Sequence, residues 1–186
     1  MKKFFIILIA TVTTYNCESD DICPESTLTT PRMIITFYDV NNPEERKNVE
    51  SLGVYIIKNS EFTLINEING INTDSIAIPL RDDESVSNFK LCKDFSEDIT
   101  VIPSGLPNHL YVDYEINERF ISRACGFINN YNLSLALPYD PINNPSPTNW
   151  ISDVIILNDS VNNENQSHVK ILPVSYTHLT LPTKSR

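Results

Sequence analysis

Four cysteines, three histidines and a surplus of carboxylates are the residues of this chain that could do chemistry. Cys125 stands in Arg123-Ala124-Cys125-Gly126. A cation beside a thiol favours the thiolate, so this stretch has the form of a reactive cysteine. A second cysteine within reach would make it half of a disulfide instead, and that is the expectation here. Cys92 lies in Lys90-Leu91-Cys92-Lys93, and no two cysteines have the spacing of a zinc pair, so no metal is expected. His109 and His168 are far apart and each begins a strand-like stretch, where an exposed strand-end histidine is expected. Asp113 and Glu115 share one strand face, as general acid–base catalysis would require. Their alternation with Val112, Tyr114 and Ile116 reads as a solvent face instead.

Two loops are rich in oxygen ligands. Asn158-Asp159-Ser160-Val161-Asn162-Asn163-Glu164-Asn165 has the donors a hard cation needs, but neither the glycine nor the spacing of an EF-hand loop. Arg81-Asp82-Asp83-Glu84 is a weaker case. Both are expected to be ordinary polar loops. Trp150, the only tryptophan, follows a proline-rich stretch from Tyr139 to Pro147. Trp150 and Tyr139 are the candidate aromatic contacts for a glycan or a partner protein; the rival reading makes Trp150 a core plug. There is no G-x-S-x-G, no H-E-x-x-H and no glycine-rich phosphate loop. No catalytic residue is nominated, and neither an enzyme nor a cofactor is expected.

The elements that would position these residues are strands. Arg32–Tyr38, Leu52–Ile57 and Ser75–Leu80 are rich in β-branched and aromatic residues, and Pro79 marks the last as an edge or strand end. Asn88–Leu91 and Ile99–Ile102 are weaker. His109–Ile116 and Arg119–Cys125 alternate well, with Asn117-Glu118 as the expected hairpin turn between them. Tyr131–Leu137, Ile151–Leu157 and His168–Leu172 complete the set, and only Pro43–Leu52 suggests a helical turn. Twelve prolines against four glycines punctuate the loops. The expectation is all-β: one antiparallel β-sandwich, Ig-like or transthyretin-like, of about eight or nine strands.

The N-terminus has a different character. Met1-Lys2-Lys3 precedes the apolar run Phe4–Ala10, and Thr11–Asn16 leads into Cys17. The run is too short to span a bilayer and reads as a secretory signal over residues 1–16. Cys17 then becomes the lipidated first residue of an exported lipoprotein, although Thr14-Tyr15-Asn16 fits a lipoprotein peptidase poorly. Residues 17–30 form a tether with the acidic start Glu18-Ser19-Asp20-Asp21, and residues 31–173 the domain. At the other end, Val174–Thr183 looks like a translated sequencing adapter, so residues 174–186 are expected to be a non-native tail.

Without Lys2, Lys3, Lys184 and Arg186, ten basic residues face twenty-four carboxylates, a balance of −14. That argues against nucleic acid or an anionic lipid surface as a partner. No small-molecule substrate suggests itself.

Cys17–Cys23, Thr30–Asp39, Asp74–Leu80, Ser122-Arg123-Ala124-Cys125-Gly126-Phe127 and Trp150-Ile151 together resemble a Bacteroidetes lipoprotein family of unknown function, DUF6452. The resemblance implies an outer-membrane or periplasmic lipoprotein and supplies no activity. It also favours a Cys23–Cys125 disulfide, since both cysteines lie in the segments that carry it; Cys92–Cys125 stays open as the rival. The functional expectation is a non-enzymatic envelope lipoprotein, anchored through Cys17, that binds or assists an outer-membrane or periplasmic protein. The alternative is a surface module for glycans or peptides.

Overall fold

The computed structural model describes residues 22–96, 105–139 and 150–174. The expected strand at 99–102 and the proline-rich stretch 140–149 lie outside them. The chain divides into a larger unit, Thr30–Asn117 with Asn129–Arg186, and a smaller one, Met1–Thr29 with Glu118–Ile128.

The protein is all-β, with two open sheets. Eleven strands occur among the described residues: β1 Met33–Phe37, β2 Val49–Lys58, β3 Glu61–Leu64, β4 Ile71–Thr73, β5 Ser75–Ile78, β6 Val86–Lys93, β7 Leu106–Ser122, β8 Gly126–Tyr139, β9 Ile151–Ile156, β10 Ser160–Val161 and β11 Val169–Pro173. One sheet has the order β5-β1-β11-β9; the other runs β10-β8-β7-β6-β2-β3, with β4 also on β2.

The pairing is not wholly antiparallel, contrary to expectation. β1 is antiparallel to β5 but parallel to β11, with Ile35 opposite Val169. A parallel pair needs a long crossover between its strands. Here the seven-stranded sheet, formed largely from the intervening chain, supplies it. The expected turn at Asn117-Glu118 is also absent: β7 continues to Ser122. The reversal comes at Arg123–Cys125, where Gly126 adopts φ +71, a conformation glycine takes without strain. The helical turn expected in Pro43–Leu52 is replaced by a hydrogen-bonded loop. In it Asp39 N–H donates to Glu45 O and Lys47 Nζ to the Asp39 carboxylate, after which β2 begins at Val49.

In the larger unit the inward residues of both sheets form one core. Met33, Ile35, Phe37, Ile78 and Ile171 come from the four-stranded sheet, and Leu52, Val54, Phe89, Leu91, Leu110 and Val112 from the other. Two polar devices sit in that core. Asn108 Oδ1 on β7 accepts from Trp150 N–H at 2.8 Å, tying one sheet to the approach of β9. Tyr114 Oη donates to Arg81 O at 2.9 Å, so Ser87 Oγ, 2.7 Å away, donates to Tyr114 and accepts from Arg81 N–H. Each buried group in that ring is satisfied, which avoids the cost of burying it bare.

His168 is fully buried, at 0% exposure, against the expectation of an exposed strand-end histidine. Its N–H donates to Ile34 O, and Ile34 N–H donates to its Nδ1, both at 2.9 Å. The side chain thereby extends the β1–β11 pairing by one step. With Nδ1 accepting, the neutral ring carries its proton on Nε2, which has no partner among the described residues. Burial holds its pKa below 6.5, with Glu164 pulling weakly the other way.

Two outcomes test this core. Leu110→Ala should cost about 2–5 kcal/mol in urea unfolding, the range for emptying a buried leucine site. A histidine kept neutral in the fold contributes stability that is complete above its unfolded pKa and is lost as pH falls from about 6.5 toward the folded value. The urea midpoint should therefore drop over that interval, and the drop should be smaller in His168→Gln. Equal slopes in the two proteins would show that His168 is not the group responsible.

Candidate functional site

The smaller unit consists, among described residues, of Ile22–Thr29 and the hairpin tip Glu118–Ile128. Cys23 and Cys125 are joined by a disulfide, their Cα atoms 4.9 Å apart. This is the pairing the resemblance favoured, and it leaves Cys92 buried and free. Cys125 N–H donates to Ser122 Oγ at 3.1 Å, which shapes the turn. Thr27 Oγ1 lies 3.6 Å from Cys125 Sγ; a bridged sulfur has no proton, so the hydroxyl donates. The reactive-thiol reading of Arg123–Cys125 lapses with the bond, because no thiolate exists to be stabilised.

The surface of this unit is apolar for its size. Phe120 is 56% exposed, Phe127 63% and Ile22 79%, and Leu28 is exposed too. The two phenylalanine rings meet edge to face, 5.2 Å between centroids. The same unit holds an open cleft of about 470 Å³ lined by Ile22, Pro24, Thr27, Ile121, Arg123 and Cys125, among others. Exposed aromatic side chains gathered on a braced turn are a surface suited to docking. The described charges here, Glu25, Glu118, Arg119 and Arg123, balance, whereas the whole chain carries −10.

A second group of residues lies across the seven-stranded sheet. Tyr55, Lys90 and His109 are directly opposite one another on β2, β6 and β7. Burial lowers the Lys90 pKa and raises those of Cys92 and Tyr55. Lys90 Nζ sits 4.9 Å over the Phe62 ring, and Tyr55 packs edge-on to Phe95. Gly53 leaves the room for Phe95: a Cβ there would stand 2.7 Å from its ring. Packing therefore accounts for this row, with long side chains covering an apolar face.

The other expected site residues fall as follows. Trp150 is 2% exposed and tilted against Phe37 at 6.2 Å, so its ring is a core plug and not a platform for a sugar. Tyr139 ends β8, and its side chain, like Cys17, lies outside the described residues. Asp113 and Glu115 face away from buried Val112 and Tyr114. The asparagine-rich loop turns its oxygens onto itself and its neighbours: Asn158 Oδ1 accepts from Ser160 N–H, Asn163 Oδ1 from Asn165 N–H, and Glu164 takes a two-pronged contact from Arg32. Asp83 is held well below the usual carboxylate range by Arg81 and Lys58. Among the described residues no three His, Cys, Asp or Glu gather as a metal site.

The disulfide-braced tip was the feature sequence reasoning described least. Arg119–Cys125 alternates like a half-buried strand, and alternation alone does not tell a covered face from the bare one that leaves Phe120 and Phe127 exposed.

Fold and site together define an all-β protein with two open sheets and a disulfide-pinned hairpin. The chain belongs to the family of unknown function DUF6452, whose model matches residues 51–173. No curated protein and no solved structure matches it. The family match begins at Ser51, so Cys17–Asp39 falls outside it.

Removing the bridge with Cys23→Ser/Cys125→Ser should lower the unfolding free energy by about 2–5 kcal/mol, the usual cost of losing a disulfide that closes a long loop. In the unsubstituted protein, peptide mapping after alkylation should find Cys92 modified only in denaturant. Modification of Cys92 in the native protein would contradict its burial.

Proposed function

We propose that this chain is an exported lipoprotein, held to a bacterial outer membrane by acyl chains on Cys17, whose β-sandwich acts as a non-catalytic binding or accessory module in the envelope. The observation that carries the reading is the N-terminal order: two lysines, an apolar run of seven residues, then a cysteine followed by an acidic segment. Acyl chains contribute about 0.8 kcal/mol per buried methylene, so two or three on one residue give lasting attachment. The Cys23–Cys125 disulfide supports the reading, because such bonds form and persist outside the reducing cytoplasm. One core fed by both sheets supports a sandwich, Ig-like or transthyretin-like, with one parallel pair.

The binding role rests on the tip. Exposed Phe120 and Phe127 and a cleft in the same unit are features of a contact surface, and the displaced pKa values elsewhere follow from burial and ion pairing. A glycan-binding module has less behind it, since Trp150 is buried.

Expression in a host with lipoprotein-processing enzymes tests the anchor. The N-terminal peptide should begin at Cys17 and carry the mass of its acyl groups, and the protein should sediment with membranes. Cys17→Ser should release it to the soluble exported fraction. A processed N-terminus with an unmodified Cys17 would remove the anchor.

A further inference from the structure

The strongest unassigned surface is the apolar tip of the smaller unit, and the chain itself indicates what covers it. Cys23, bonded to Cys125 in the turn, is six residues from Cys17. Six residues reach at most about 20 Å when fully extended. With the bridge's 4.9 Å between Cα atoms added, an acyl group on Cys17 keeps Cys125 within about 25 Å of the bilayer surface, at any conformation of the segment between. The residues kept there are the ones a soluble surface least tolerates: Phe120, Phe127, Ile22 and Leu28, all more than half exposed. Without the disulfide, the domain's distance from the membrane would be set by a longer tether.

Charge agrees with position. Without Lys2 and Lys3 the chain beginning at Cys17 carries twelve basic residues against twenty-four carboxylates, −12, a repulsive balance toward anionic headgroups. The described part of the smaller unit is neutral; Arg119 precedes Phe120 directly, and Arg123 stands between Phe120 and Phe127 in the sequence. Aromatic side chains with nearby arginines suit the headgroup region, where rings find apolar contact and guanidinium groups find phosphate.

We propose that the hairpin tip Glu118–Ile128 docks on the bilayer to which Cys17 is anchored, with Phe120 and Phe127 seated at the lipid interface. The disulfide then sets the contact as well as closing a loop. The proposal rests on the reading of Cys17 as the anchored residue, and its test is arranged to be independent of natural acylation.

In the processed chain beginning at Cys17, Cys23 and Cys125 are bridged and Cys92 is buried, which leaves the Cys17 thiol as the one to couple to a maleimide. It can be coupled to a maleimide lipid in vesicles of phosphatidylethanolamine and phosphatidylglycerol, or to a water-soluble maleimide. Amide hydrogen exchange over residues 118–128 should be slower on vesicles by about 5-fold or more, a shift well within the span of local opening. Phe120→Ser/Phe127→Ser, coupled in the same way, should lose that slowing while keeping the bridge and the slow exchange of the core. Equal exchange in the two conjugates would overturn the proposal and leave the tip to a protein partner. Slowing that persists in the double variant would overturn the role of the two rings. An unmodified Cys17 in the cell would defeat the anchor alone, since the synthetic conjugate still reports on the tip.

Discussion

Strand β1 has partners on both edges, and the larger unit depends on it. Met33–Phe37 is hydrogen-bonded to β5 on one side and to β11 on the other. Its buried residues Met33, Ile35 and Phe37 supply the middle of the four-stranded sheet's inner face. Each added pairing commits the next contact. Ile34 exchanges two hydrogen bonds with His168, Thr36 Oγ1 meets Ser167 Oγ at 2.7 Å, and Arg32 grips Glu164. The asparagine-rich loop, which precedes β11, is thus drawn onto β1 and the residue before it. A buried imidazole with one idle nitrogen is tolerated because its other nitrogen occupies a backbone donor that would otherwise be bare.

The smaller unit solves a different problem. Some nineteen described residues cannot enclose a core, and their large side chains stay outside. A covalent bond does what burial cannot, a pattern typical of small exported structures. The consequence is a division of labour along β7 and β8. Regular inward alternation runs up to Tyr114, and beyond Ile116 the residues answer to a turn, a bridge and an exposed aromatic pair.

Much of the fold was legible because period-two patterns of β-branched and aromatic residues mark strands wherever one face is buried. β1, β5 and β9 lie close to where that pattern put them, with Pro79 ending β5 as a residue lacking an N–H must. The turn at Asn117-Glu118 was misplaced for a physical reason: a long two-stranded ribbon keeps its alternation and holds no signal of where it reverses until Gly126. β3 was missed because its marker is weak. Asn59 and Ser60 both take positive φ between Lys58 and Glu61, a tight turn more often announced by glycine. His168 was illegible in principle, since its partner is a backbone group 134 residues away. Trp150 carries the same residue type whether it stacks on a sugar or on Phe37. The disulfide was legible only through family resemblance, as spacing left Cys92 equally eligible.

The parallel β1–β11 pair also governs the order in which the molecule can be assembled. The partners of Ile35 are not both present until Val169 has been synthesised. Contacts between such distant segments form slowly, because a large loop must close first. Until then β1 keeps one bare edge, and the chain has no complete four-stranded sheet to trap it. The seven-stranded sheet needs none of these residues, so the four-stranded sheet is the part of the larger unit that closes last.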